Sequence, residues 1–148
     1  KRALRLDKVT LAALEATLQL YRNPNELVST LPTLRLLMRA EGSIRDQANE
    51  LAPKVSALLS DQYRVATASV SSQIGSGALP VEVLPSAALS ITAANGEDEL
   101  LRALAARLRR LPKPIIGRLH NGALLLDLRC LEALHEDAFL EQLSELAQ

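Results

Sequence analysis

The chain has 148 residues, of which 48% are apolar and only 2% aromatic, and 17 Lys plus Arg balance 17 Asp plus Glu. A chain of this length builds one core that hides roughly 70% of its unfolded surface, and so few rings exclude a stacking platform for single-stranded nucleic acid. Zero net charge excludes an overall field toward nucleic acid or an anionic membrane, so an anion site has to be local.

In chain order, Asp7 is a natural N-cap, and Leu11, Leu14, Leu18 and Tyr21 follow it at helical spacing. Asn23-Pro24 stops that helix. With Glu26 it also resembles a new start with a cap, a leading proline and a box-like carboxylate, so a short helix is expected from Pro24 to about Ser29. Ile44, Ala48, Leu51, Val55 and Leu58 then step at four and three residues, the strongest helical pattern in the chain. Pro53 lies inside it, and a kink is expected between Asn49 and Pro53.

The period changes to two at Tyr63, which predicts a strand ended by Gly75-Ser76-Gly77. A second strand is expected over Leu84 to Thr92. Asn95-Gly96 turns the chain into a helix from Glu97 to Leu111, acidic at its start and basic at its end as its dipole favours. Asn121-Gly122 between Pro114 to His120 and Ala123 to Leu128 signals a hairpin. Phe139, Leu143 and Leu146 mark a last helix from about Glu132 to Glu145. The expected fold is α/β of the α+β kind: a long helical lead-in over 1–60, then a small domain over 61–148 with a mostly antiparallel sheet and helices on one face.

The residues offer little chemistry of their own. His120 and His135 are far apart and Cys130 has no partner thiol, which argues against a metal site and an internal disulfide and suits a cytoplasmic, reducing setting. Cys130 reads as structural, Gly75-Ser76-Gly77 as a tight turn lacking the spacing of a phosphate loop. Lys1, Lys8, Lys54 and Lys113 are poor candidates for a Schiff-base lysine. Cations are skewed to 13 Arg against 4 Lys. Arg2 and Arg5, three apart, are either two solvated arginines or, on a helix, a clamp for one oxyanion. Arg102, Arg107, Arg109, Arg110 and Lys113 read first as a helix end obeying its dipole, with a phosphate contact as the other reading.

Five strings carry a family resemblance: Lys1-Arg2-Ala3-Leu4-Arg5, Asp7-Lys8-Val9-Thr10-Leu11-Ala12-Ala13-Leu14-Glu15, Leu31-Pro32-Thr33-Leu34-Arg35-Leu36-Leu37, Ser72-Gln73-Ile74-Gly75-Ser76-Gly77-Ala78-Leu79-Pro80 and Asp127-Leu128-Arg129-Cys130-Leu131. Together they resemble the C-terminal part of the bacterial selenocysteine synthases, the L-seryl-tRNA(Sec) selenium transferases. That resemblance implies a fold-type-I pyridoxal-phosphate enzyme that makes selenocysteyl-tRNA(Sec) from seryl-tRNA(Sec) and selenophosphate. The seryl hydroxyl is lost and selenium takes its place, with the cofactor as electron sink. It further implies a Schiff-base lysine upstream of Lys1, so that this chain alone binds no cofactor and is inactive. Arg2 and Arg5 are implied to hold the anionic selenium donor, and Gln73, Gly75 and Gly77 to face the catalytic cleft. Assembly as a ring of dimers is implied as well. The same sub-fold serves lyases acting on small amino or sugar acids, and a non-catalytic assembly module is the remaining alternative.

Overall fold

The structure, a computed structural model, describes residues 5–73 and 83–147. The chain forms two compact units, Lys1–Met38 and Arg39–Gln148.

In the first unit, α1 (Lys8–Leu20) starts where the Asp7 side chain accepts hydrogen bonds from the Val9 and Thr10 amides, both at 2.9 Å, and from the Thr10 hydroxyl at 2.7 Å. Helices α2 (Pro24–Thr30) and α3 (Pro32–Leu37) each open on a proline, whose missing donor costs nothing in a first turn. Asn23 makes no side-chain cap to α2; its carbonyl accepts from the Glu26 amide instead. Leu31 ends α2 and begins α3, so the two short helices follow each other through one residue. No residue of these three helices is buried.

The second unit begins with α4 (Glu41–Leu58), which runs through Pro53 as one 18-residue helix. Ile44, Ala48, Leu51 and Val55, all fully buried, put α4 in the same core as the sheet. The compact division therefore falls after Met38, whereas the sequence pattern alone suggests one near residue 60. Strands β1 (Tyr63–Gln73) and β2 (Val83–Ala93) pair antiparallel over their whole length, β2 pairs with β4 (Ala123–Asp127), and β4 with β3 (Arg118–His120), giving the order β1-β2-β4-β3. Helix α5 (Asp98–Arg109) buries Leu101, Leu104, Ala105 and Leu108, and α6 (Glu136–Ser144) buries Leu143.

One sheet face, carrying Ala87, Leu89, Ile91, Leu124 and Leu126, joins the helices in the main core, where each enclosed leucine contributes about 1.5–3 kcal/mol. The opposite face carries a smaller cluster of Ala88, Ala123 and Leu125 with Val70 against it. Asn121 (φ 49°) and Gly122 (φ 70°) form the tight turn between β3 and β4, as that dipeptide predicts.

Two expectations are corrected. Strand β3 begins at Arg118 rather than at Pro114, because the connector is tied back to α5 by the Ile115 amide on the Leu108 carbonyl at 3.0 Å, and Pro114 has no donor for a ladder. Gly117 sits so close to β4 that a Cβ would lie 2.7 Å from Leu126 Cδ2, 2.8 Å from Leu124 Cδ1 and 2.9 Å from the Leu125 carbonyl. The last helix begins at Glu136 rather than Glu132, after two short 3-10 turns, Leu128–Cys130 and Ala133–His135. Asp127 starts the first of these by accepting the Arg129 amide at 3.0 Å.

Candidate functional site

Strand β4 pairs with only Ala88 to Ile91 of β2, so the far end of the β1–β2 ribbon continues without a third strand. Arg118 on β3, the opposite edge, nevertheless donates from Nη2 to the Ser71 carbonyl of β1 at 3.3 Å. A flat sheet would separate those strands by about 14 Å, three spacings of about 4.8 Å. The ribbon is therefore curled over the face away from the helices, as twisted two-stranded ribbons do.

The curl borders an open cleft of about 900 Å³. Val70 and Gln73 of β1, Arg118 and His120 of β3, and Ala123 and Leu125 of β4 are among its walls. At the end of β4, Asp127 accepts the Ser72 hydroxyl at 2.5 Å and the Ser86 hydroxyl at 2.7 Å. These hydroxyls are not nucleophiles. Ser86 is fully buried, and no histidine is hydrogen-bonded to either one to take a proton. The triad instead fastens the curl to the end of β4.

A second polar centre lies between α4 and the turns before α6. Arg39 Nη1 donates to the carbonyls of Leu128, Arg129 and Leu131, each at 2.8 Å, and Nη2 donates to Gln47 Oε1 at 2.7 Å. Gln47 Nε2 reaches the Leu131 carbonyl at 3.1 Å and Glu136 Oε1 at 2.7 Å. Arg129, itself buried, donates to the Arg39 carbonyl at 3.1 Å and to the Pro85 carbonyl. Burial, and then the neighbouring Arg129 charge, pull the Arg39 guanidinium below its ordinary pKa. A planar fork can hold three carbonyls and an amide in this way where a lysine ammonium could not. Periodicity gives no sign of Arg39 or Gln47; Arg129 and Asp127 are visible only as members of the Asp127 to Leu131 string.

Of the residues singled out from the sequence, Gln73 lines the cleft, and Arg5 is exposed just before α1, in the other unit. Arg2, Gly75 and Gly77 lie outside the described residues. His120 lines the cleft, His135 ends a 3-10 turn, and Cys130 is exposed rather than buried, because the turn that holds Arg129 inward directs Cys130 outward. Among the described residues no group of three His, Cys, Asp or Glu is placed to hold a metal, and no helix is long and apolar enough to cross a membrane. Lys8, Lys54 and Lys113 are all exposed and none lines the cleft. A lysine that carries pyridoxal phosphate has to be partly desolvated. The described residues do not fit that cofactor.

The sequence profile of the family described as L-seryl-tRNA selenium transferase matches residues 1–132. Among curated proteins, the L-seryl-tRNA(Sec) selenium transferase of Proteus mirabilis is 54% identical over 144 residues, covering 97% of this chain and 31% of the relative. Those of Salmonella paratyphi B and Salmonella dublin are each 54% identical over 143 residues, covering 97% of this chain and 30% of the relative. The chain thus spans under a third of the length of these relatives.

Proposed function

The chain belongs to the L-seryl-tRNA selenium transferase family, and from that premise we propose that it is the C-terminal part of a cytoplasmic enzyme that converts seryl-tRNA(Sec) to selenocysteyl-tRNA(Sec) with selenophosphate as donor. The observation that carries this reading is the 54% identity over 144 residues, 97% of the chain. Fold alone would not choose between a tRNA-linked serine and a small amino or sugar acid.

In this reading the whole protein uses pyridoxal phosphate, held by a lysine outside this chain, and assembles from several copies. The sheet unit is a wall of the catalytic cleft, with Gln73, Gly75 and Gly77 facing it. Arg2 and Arg5 bind the selenium donor. A tetrahedral, phosphate-like anion suits two guanidinium forks, and an exposed Arg5 is free to be covered by the remainder of the protein.

Selenium incorporation by the whole protein, measured with seryl-tRNA(Sec) and with free serine, tests the reading. Incorporation into the tRNA-linked residue alone is expected. Turnover of free serine with none on the tRNA would replace this reading with a small-molecule lyase. For the donor site, Arg5→Ala is expected to abolish incorporation at limiting selenophosphate while cofactor absorbance is retained; unchanged turnover would remove Arg5 from the site.

A further inference from the structure

From Leu100 to Leu126 the chain carries no carboxylate side chain but six cations, Arg102, Arg107, Arg109, Arg110, Lys113 and Arg118. In a chain with no net charge, this is the largest local excess of one sign. Two of the six have internal roles: Arg107 donates to the Leu146 carbonyl and Arg118 to that of Ser71. Arg102, Arg109, Arg110 and Lys113 are exposed, and among the described residues none is paired with a carboxylate.

The helix dipole does not account for this set. Its pull is confined to the last turn, which covers Arg107 and Arg109. Arg102 stands two turns earlier and Lys113 lies past the helix end. Leu101, Leu104, Ala105 and Leu108 hold the other side of α5 in the core, so the cationic side faces outward. Arg102 and Arg109, seven residues apart, share one face about 10 Å along the axis, with Arg110 beside Arg109. The residues between them on that side are Ala103 and Ala106, too small to hold a large surface away. Beyond the helix, the Lys113 amide donates to Gln142 Oε1 at 2.9 Å, which fixes the connector three residues after Arg110.

We propose that this ridge, Arg102, Arg109, Arg110 and Lys113, is a contact surface for the phosphate backbone of the tRNA. The proposal rests on the reading that tRNA is the substrate, and adds to it the place on this chain that touches the nucleic acid outside the reacting end. Guanidinium forks fit phosphate oxygens, and a row of cations meets a nucleic-acid backbone at more than one phosphate. Such contacts position an RNA without reading its sequence.

The test uses the whole protein and unmodified tRNA(Sec) transcript. Affinity is measured across salt concentrations for the wild type, for R109Q/R110Q/K113Q, and for K54Q/R64Q, which removes exposed cations from α4 and β1. The ridge variant is expected to bind at least ~10-fold more weakly near physiological salt, and its slope of log affinity against log salt to fall by roughly 2–3, about 0.9 for each lost phosphate contact. Its kcat at saturating seryl-tRNA is expected to persist, which shows that it folds, and K54Q/R64Q is expected to keep the wild-type slope. A ridge variant with wild-type affinity and slope, or a control that loses as much, overturns the proposal and leaves the substrate reading intact. A wild-type protein that neither binds nor charges the tRNA with selenium overturns both.

Discussion

Residues 39–148 and residues 5–38 differ in where their stability comes from. The former enclose a core in which Ile44, Leu51, Leu89, Leu124 and Leu143 are fully buried, and they fasten it with polar centres at Arg39 and Asp127. In α1, α2 and α3 nothing is buried, and Leu11, Leu14 and Leu18 remain about half exposed on α1. Isolated helices of 13 residues or fewer are marginal in water, whatever their caps. One region is thus specified by its own sequence. The other is written with an apolar stripe whose partner surface, in the function proposed above, belongs to the rest of the enzyme.

The largest expected effect that bears on this contrast is in the core. Leu89→Ala should cost about 2–5 kcal/mol in a denaturant titration, while Leu14→Ala, with half of its side chain already in water, should leave the midpoint within error. Equal costs would erase the distinction. Gly117→Ala should cost about 1–3 kcal/mol, because its Cβ meets the Leu125 carbonyl as well as two leucine methyls. A stabilised variant would mean that β3 can shift.

Arg39→Lys should cost roughly 1–3 kcal/mol through carbonyls left without their donors, nearly as much as Arg39→Ala. Full rescue by lysine would show that charge rather than the fork matters. The smallest effect belongs to Asp7. Hydrogen bonds from the Thr10 amide and hydroxyl hold its carboxyl below the usual 3.8. A folded pKa below the unfolded one means that the cap is intact above the unfolded value and is lost as pH falls through the folded one. Amide protection at Val9 and Thr10 should therefore be lost only in acid, as pH falls through the lowered pKa below 3.8, and Asp7→Ala should lack that protection at neutral pH.

Much of the sheet unit was legible because local signals there agree with the fold. Helical spacing placed Ile44 to Leu58, period two placed β1, and Asn121-Gly122 placed its hairpin. Features decided by distant backbone were not legible. Arg39 meets Leu128 across 89 residues through a carbonyl, a partner that every residue offers. The broken start of α6 follows from the same contacts, since Arg39 and Gln47 both occupy the Leu131 carbonyl, which a helix starting at Glu132 would have used. As for the candidate site, spacing left Arg2 and Arg5 undecided, and only the resemblance gave them a role. Nothing in the pattern disclosed that the ribbon curls to form a cleft.

In the function proposed above, this chain contributes walls and anion-binding arginines to a site whose cofactor-bearing half lies elsewhere. The most direct test is to incubate this chain and the whole protein separately with pyridoxal phosphate, remove the unbound cofactor, and record visible absorbance. The account predicts a bound-cofactor band in the whole protein and none in the chain. A band retained by the chain, lost on mutating one of its four lysines, would contradict it.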